Sequence, residues 1–494
     1  MSRLSKKITR RRFVYGSALA TGGLVLLPNL SRSVLGANDK IRVAGIGCGG
    51  KGQSDIMKCI NAGEEVVAGA DIDSGRAASL ANDVAKARDG RKPTVYDDFR
   101  VMLDKQHKEI DAVTVSTPDH FHAIAAATAI ALGKHAYVQK PLTHTVYEAR
   151  ILRKLAADKG VCTQMGNQGT SRDSLRTGVE IIQEGIIGDV KEVHVWSNRP
   201  VWPQGAEMTK KFEEGKGAKA PGGWNYDVWI GPQSMRPFNG AYGHFIWRGF
   251  WDFGTGALGD MACHTMNLPF WALSLEYPTS VQATVPAVYE VTPPEWSRIV
   301  YEFPARKVVK TGKELPAVTL HWYDGNTRQG HLPDSEKQYA DAAAKVDAKL
   351  GAELKKAKSN SGSLFIGTKG ALYSPGDYGD AIVLLPAEKF PGDYKKHAPK
   401  PWLPRHKGGG DDQNQTNEWL AAIRENKPDL AMSNFEYSAY FTEIILLGNL
   451  AMRVPGDAIK WDGPKMRSPN SKAANGFVHH EYRKGWKLPI ELNV

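Results

Sequence analysis

The stretch Lys40-Ile-Arg-Val-Ala-Gly-Ile-Gly47-Cys-Gly49-Gly-Lys-Gly52 carries the strongest fold signal in the chain. Its first half is a short, mostly apolar run bounded by glycine, the pattern of a buried strand. Gly47, Gly49 and Gly52 then form Gly-x-Gly-x-x-Gly, and Ile56, Met57 and Ile60 continue at helical spacing. Strand, glycine loop and helix are the setting of a dinucleotide-binding turn. The glycines permit a tight bend and a close backbone approach to a pyrophosphate, which the helix N-terminus attracts. A second register, Gly45-x-Gly47-x-x-Gly50, also matches, but the later one sits at the strand's end. A glycine-rich turn with no ligand is the competing reading of these residues alone.

The following elements extend the pattern. Glu65-Val-Val-Ala-Gly-Ala-Asp71 reads as a second strand. It ends in a carboxylate about 20 residues beyond the glycines, where an acid binds ribose hydroxyls. Asp71 would repel a 2′-phosphate, which favours NAD; Arg76 close by keeps NADP open. Asp111-Ala-Val-Thr-Val-Ser-Thr117-Pro118 is a third buried-type strand, and Asp119-His120-Phe121-His122 opens an alanine-rich helix over 123–132. Gly133-Lys-His-Ala-Tyr-Val-Gln139-Lys140-Pro141 is a fourth strand ending in a turn. Such alternation predicts a parallel, doubly wound sheet with ligands beyond the strands' carboxyl ends, where Gly47, Asp71, Pro118 and Lys140 all fall.

A second cluster of chemistry lies in Trp251-Asp-Phe-Gly-Thr-Gly256-Ala-Leu-Gly259-Asp260-Met-Ala-Cys-His264. If the segment after Gly259 is helical, Asp260 and His264 share one face. A carboxylate that orients a histidine toward a ligand is a general acid–base arrangement. The same spacing also describes a capped helix start with a half-buried histidine.

In this order the motifs resemble the Gfo/Idh/MocA family, named after glucose–fructose oxidoreductase and inositol dehydrogenase. The resemblance rests on the Gly47–Gly52 loop, Thr117-Pro118-Asp119-His120-x-His122, Gly133-Lys-His through Gln139-Lys140-Pro141, and Gly256 through Asp260-x-x-x-His264. It extends to Asn449-Leu-Ala-Met-Arg453, covering nearly all of the chain beyond its N-terminal segment. It implies an N-terminal Rossmann domain and a C-terminal α/β domain with a large open, mainly antiparallel sheet. It also implies NAD(P)-dependent oxidation or reduction of a sugar or cyclitol carbinol. Lys140 matches the lysine of the family's Glu-Lys-Pro motif, and Asp260 and His264 match its acid and histidine, giving these three the catalytic roles. Gly47, Gly49, Gly52, Asp71, Thr117, Pro118, His120, His122, Gln139 and Lys140 are then the expected cofactor contacts. Two positions depart from the family pattern. Gln139 replaces the acid before the lysine, and Asn267 replaces an acid that often follows the histidine. Both are expected to remove negative charge near the centre; losing the carboxylate beside Lys140 would make that lysine a readier proton acceptor, and a weakened or altered activity is the alternative.

Expected boundaries are 38–165 for the Rossmann domain and 166–494 for the second domain. Within the latter, 334–358 reads as a solvated helical insert, because its alanines and lysines leave little apolar face. Val190–Ser197 alternates like a half-exposed strand, Leu364–Tyr373 reads as a hairpin and Asp324-Gly325 as a turn. Helices over 417–424 and 437–453 are expected to cover one face of the second sheet. Sugars offer apolar C–H faces and hydroxyls, which aromatic, Asn and Arg side chains suit. Asn167, Arg199, Trp202, Arg248 and Trp251 are the substrate-binding candidates, and Trp224 and Trp247 belong to the same aromatic group. Tryptophan serves packing more often than ligands.

The formal net charge is +11, but seven positives and no acid lie before residue 37. Removing those seven leaves +4, which implies no nucleic-acid partner. Thr9-Arg10-Arg11-Arg12-Phe13-Val14 resembles a twin-arginine export signal, followed by an apolar stretch over 13–30 too short and glycine-rich to span a membrane stably. A plain secretory signal or an N-terminal anchor is the alternative. Residues 1–37 are thus expected to direct a folded protein through the twin-arginine machinery to the periplasm or cell exterior, with no span in the mature form. Four cysteines, none in Cys-x-x-Cys, argue against a disulfide framework, and no metal ligand set stands out. The expected partners are a small carbohydrate and further copies of the chain, as a dimer or tetramer through the open sheet. Three functions follow: a sugar or cyclitol oxidoreductase with tightly held NAD, an NAD-dependent glycoside-cleaving enzyme acting through C3, or a non-catalytic sugar-binding relative.

Overall fold

The computed structural model describes residues 39–308, 312–326, 337–357, 361–406 and 410–492. The arginine-rich segment lies outside them. The first half builds a six-stranded parallel sheet from β1 (Arg42–Ile46), β2 (Glu65–Ala70), β3 (Thr94–Tyr96), β4 (Ala112–Val115), β5 (His135–Val138) and β6 (Thr163–Met165), in the order β3-β2-β1-β4-β5-β6. The chain reverses direction across the sheet between β1 and β4, so a crevice opens beyond their carboxyl ends. β4 is buried along its whole length, as a strand covered on both faces must be. The Asp119–Ala131 helix is apolar nearly all round because it is buried from Asp119 to Ala127.

The second half forms an eight-stranded sheet. Its strands are β7 (Val190–Trp196), β8 (Ser280–Thr284), β9 (Trp296–Phe303), β12 (Val318–Gly325), β13 (Gly362–Gly367), β14 (Ala371–Pro375), β15 (Val383–Leu385) and β16 (Ile459–Lys460). The order is β15-β14-β13-β7-β12-β9-β8-β16, and among the described residues β7–β12 is its one parallel pair. A short pair, β10 (Arg306–Lys307) with β11 (Glu314–Leu315), stands apart. The fold is therefore the expected α/β architecture with a mainly antiparallel second sheet.

Several local expectations need correction. Asp324-Gly325 is not a turn: β12 runs through it, pairing Gly325 with Trp296. Asp324 is buried and accepts from the Ser297 amide at 2.6 Å and from Trp322 Nε1 at 2.9 Å. The Ser297 donor comes from the neighbouring strand β9, a contact that no local turn preference reveals. The 334–358 insert, in its described part, is not solvated. Its helices Gln338–Val346 and Ala348–Lys356 lay Tyr339, Ala340, Ala343 and Leu354 on Trp196, Tyr323 and Leu364. Tyr339 stacks on Trp196 with ring centroids 4.5 Å apart. This cover also explains why β7, expected to be half exposed, is buried from Val193 to Trp196. The four cysteines are free and buried.

The Phe435–Arg453 helix packs on the second sheet, with Tyr301 Oη donating to the Ile445 carbonyl. The Asp411–Glu425 helix instead returns to the first sheet. There Tyr137 Oη donates to Gln415 Oε1 at 2.9 Å and Trp419 Nε1 to the Cys162 carbonyl. Periodicity marks a helix's apolar face, not the sheet that buries it.

Candidate active site

The glycine loop shapes one end of a cavity of about 660 Å³. Gly47 follows β1 at φ +86°, and a Cβ there would stand 2.6 Å from the Ser116 carbonyl oxygen. Gly52 lies in the first turn of the Lys51–Asn61 helix, where a Cβ would stand 2.0 Å from the Gly47 carbonyl oxygen. Gly47 and Gly49 line the cavity, whereas Gly52 sits behind it and lets the helix close onto the turn. Asp71, just beyond β2, lines the same end and accepts from the Cys48 and Asp73 amides at 2.7 and 2.9 Å. Burial raises its carboxyl, and those amides oppose the rise. Each oxygen keeps a lone pair for a ribose hydroxyl. Arg76 lines the cavity beside it. The narrow glycine turn and the acid beside it fit a dinucleotide.

Thr117, Pro118 and Gln139 line the wall toward the second domain, and Lys140 follows β5. Lys140 Nζ donates to Asp260 Oδ1 at 2.6 Å and to the Asp260 carbonyl at 2.9 Å. Asp260 comes from the Gly256–Thr265 helix of the other half, so this ion pair bridges the two. Arg248 Nε donates to the same oxygen at 3.0 Å. Burial disfavours the Asp260 charge, but Lys140 and Arg248 outweigh it and hold the carboxyl well below the usual aspartate range. Asp260 itself lies behind Lys140 and Arg248, which line the cavity with His264.

Asp260 does not orient His264, contrary to the expectation from their spacing. The carboxylate is occupied by the two cations, and His264 Nδ1 is buried without a hydrogen-bond partner among the described residues. Four-residue spacing brings side chains to one face but does not select among competing donors. Burial, then the Lys140 charge, pushes the imidazole well below its usual range, so His264 is neutral. Its ring meets Tyr378 edge-on at 4.6 Å.

The two departures from the family pattern also resolve differently. Gln139 Nε2 donates to Asp55 Oδ2 at 2.7 Å, and Ser116 Oγ donates to the same oxygen at 2.9 Å. A carboxylate thus remains beside position 139, supplied by Asp55, while Lys140 keeps Asp260. The negative charge expected to be missing beside these residues is supplied by Asp55 and Asp260. Asn267 is buried away from the cavity, donating to Thr170 Oγ1 and accepting from Tyr437 Oη at 2.6 Å.

His120 and His122 do not line the cavity. The ring nitrogens of His120 face the Trp229 and Phe253 carbonyls, and those of His122 face the Pro141 and Thr117 carbonyls at 2.7 and 2.9 Å. Burial pushes both down to about 4. They brace the loops that carry Lys140 and the aromatic wall. Asn167 is likewise internal, linked to the Cys263 carbonyl and to Ser433 Oγ. Arg199 lies outside the cavity lining against Asn198 and Asp377. Trp202 is buried, its Nε1 on Gln204, and Trp251 is buried under the Arg453 guanidinium, 4.3 Å from its ring. Of the substrate-binding candidates only Arg248 lines the cavity.

The aromatic wall comes instead from Trp229, Phe245 and Trp247, with Arg248 stacked 4.3 Å above the Trp247 ring. Asp119 also lines the cavity. It is buried and pushed up to about 7, while accepting from Thr255 Oγ1 at 2.7 Å. Tyr378 and Arg172 complete the side facing His264. Trp247 belonged to the candidate aromatic group. Asp119 lay inside the Thr-Pro-Asp-His motif. Tyr378, in a glycine-flanked loop, had no pattern to mark it.

Two family models match the chain: the NAD-binding Rossmann fold of an oxidoreductase family, Gfo/Idh/MocA, over residues 41–167, and the C-terminal α/β domain of that family over 181–341. Among curated proteins, the chain is 30% identical over 207 residues to a glycosyl hydrolase family 109 protein of a Shewanella species, covering 37% of this chain and 44% of that protein. It is 28% identical over the same length to an alpha-N-acetylgalactosaminidase of Shewanella oneidensis, again covering 37% and 44%. The chain therefore spans less than half of these relatives. Similar folds include the WlbA dehydrogenase of Chromobacterium violaceum, solved with NADH and UDP-GlcNAcA, at TM-score 0.55 and 14% identity over 86% of this chain and 97% of that one. The aldose-aldose oxidoreductase of Caulobacter crescentus has TM-score 0.55 and 14% identity over 86% and 100%. The two matched segments fall on the two sheets that meet at Lys140 and Asp260, and the chain belongs to the Gfo/Idh/MocA family of oxidoreductases.

Proposed function

We propose that the protein is an NAD-dependent oxidoreductase acting on a carbinol of a sugar or cyclitol. The observation that carries this reading is the Lys140 ammonium, fixed 2.6 Å from Asp260 beside neutral His264 in the cavity that starts at the glycine turn. Gly47, Gly49 and Asp71 would hold the dinucleotide, with Thr117 and Pro118 along its path. Arg76 is the residue that would accommodate a 2′-phosphate. When bound, NAD supplies the hydride acceptor. Lys140 donates a hydrogen bond to the reacting hydroxyl oxygen and stabilises the negative charge that grows there. His264 offers an unprotonated nitrogen to the departing proton. Asp260 keeps Lys140 aimed. Trp247 and Arg248 offer a sugar an apolar face and a donor.

A second reading, NAD-dependent glycoside cleavage, is favoured by the names of the curated relatives. Oxidation at C3 by NAD would acidify C2–H and allow elimination of the C1 aglycone; addition of water and reduction of the C3 ketone by the NADH formed would then restore both the sugar and the cofactor. Incubating the protein with free sugars and with glycosides separates the readings. Oxidised sugar formed with matching reduced nicotinamide supports the dehydrogenase. Aglycone release without net reduction supports cleavage, and sugar binding without hydride exchange supports a non-catalytic relative.

The arginine pair Arg10-Arg11, with Phe13 two residues on, supports export in the folded state through the twin-arginine machinery to the periplasm or cell exterior. Free NAD is scarce there, so the cofactor should be tightly held and recycled. We assign 38–165 to cofactor binding and 166–494 to substrate and assembly, with homo-oligomers, dimer or tetramer, forming through the part of the second sheet that the 338–356 helices leave uncovered.

A further inference from the structure

The geometry points to a second binding site: Glu192, His194 and His321, on the outer face of the C-terminal sheet, form a site for a divalent transition-metal ion of the zinc type. Glu192 and His194 are two residues apart on β7, so both point to one face. His321 is the register partner of His194 on the adjoining β12. One ligand atom from each lies within 4.8 Å of the others. His194 Nε2 is 2.9 Å and His321 Nε2 3.7 Å from Glu192 Oε1. The two imidazoles stack at 4.8 Å and 9°, so both nitrogens face the same oxygen with small ring movements left to close the shell.

The donor set is two imidazoles and one carboxylate. That suits zinc and its neighbours rather than magnesium or calcium, which take oxygen shells. The second shell is present: His194 Nδ1 lies 2.9 Å from Tyr323 Oη, which would receive its proton while Nε2 binds the metal. Tyr323 is itself fixed against Tyr339 of the insert helices. Of the outlying charges, Lys345 opposes a cation, whereas Glu302 favours one. The half-exposed Glu192 leaves the remaining coordination position to water. The site lies on the sheet face opposite the core that carries Val193, Leu320 and Trp322, apart from the Lys140–Asp260 cavity. No sequence spacing announces it, because its ligands meet only through the β7–β12 pairing.

The test is calorimetric titration of the intact protein with zinc chloride in excess magnesium. About one equivalent should bind, and His321→Ala and Glu192→Gln should each weaken binding by at least about 10-fold, since even outer-shell partners are worth 10–100-fold. His194 is too buried to be the first choice, and His321 is partly exposed, so its loss leaves the sheet intact. His479→Ala/His480→Ala, removing the adjacent surface pair elsewhere, should leave the titration unchanged. Absence of stoichiometric zinc binding overturns the inference. So does a titration that both sheet variants leave unchanged, or one abolished only by the 479/480 variant.

Discussion

Lys140, at the end of β5, and Asp260, on a helix of the other half, stand 2.6 Å apart and join the two domains at the cavity floor. The pair is nearly out of solvent, with side-chain exposures of 15% and 11%, so solvent screens it little. Asp260→Asn should lower kcat on the order of 100-fold through misplacement of Lys140, and leave bound NAD in place. Unchanged turnover would make the pair purely structural. Because Asp260 is held below its unfolded range, its stabilising contribution is present above the ordinary aspartate range and disappears on acidification through the folded value.

A near-neutral inflection in kcat/KM should belong to Asp119 and not to His264. Burial pushes Asp119 up to about 7, while it pushes His264 well below the usual imidazole range. Asp119→Asn keeps a side-chain acceptor for Thr255 and should remove the inflection. Its persistence in that variant would contradict the assignment to Asp119.

Much of this site was legible in the sequence because its parts are strand-end punctuation. Gly47, Asp71, Pro118 and Lys140 sit where a parallel sheet must present ligands. What the sequence lacked was competition among partners. Asp260 and His264 are well spaced for each other, but two cations from other elements take the carboxylate. His120 and His122 look like ligands until four backbone carbonyls surround them. Trp247 and Trp251 are indistinguishable as letters, and only the turn between them puts one on the cavity and the other in the core. Tyr339 is a single aromatic in an alanine-lysine stretch, yet its stacking on Trp196 decides that the insert is packed.

Gln139→Glu should destabilise the fold without changing the basic limb of the pH–rate profile. The new carboxylate would face Asp55, whose oxygen now accepts from Gln139 at 2.7 Å. Two buried like charges and a lost hydrogen bond cost on the order of 1–3 kcal/mol. The loss should be larger at pH 8 than at pH 5, where one carboxyl can hold a proton, and Asp55→Asn should restore the double variant. Thermal midpoints at the two pH values check this.

Gly52→Ala should strip the cofactor more than it unfolds the protein. Its Cβ would stand 2.0 Å from the Gly47 carbonyl, so the helix must back away from the turn that approaches the pyrophosphate. Overpacking of this kind costs roughly 1–3 kcal/mol. The ratio of bound nucleotide to protein after purification should fall well below that of the parent.

Glu148→Gln should flatten the pH dependence of stability between about 5 and 7. Glu148 is buried in a capping box, accepting from the Thr145 amide and from Tyr482 Oη at 2.6 Å, and burial pushes it up to about 7. A raised carboxyl stabilises the fold below its unfolded value, and that contribution is lost as pH rises through the folded one. Glutamine keeps the cap and removes the ionisation. Unfolding free energies from denaturant titrations across this range should fall with pH in the parent by on the order of 1–3 kcal/mol more than in the variant.

The account stands on hydride exchange at the Lys140–Asp260 centre. The direct measurement is the absorbance of reduced nicotinamide after NAD-loaded protein is mixed rapidly with a panel of sugars and glycosides, for the parent and for Lys140→Ala. The account predicts reduction in the parent with at least one carbohydrate, and its near-absence in Lys140→Ala although NAD remains bound. No reduction with any carbohydrate that binds, or equal rates in the two proteins, would contradict it.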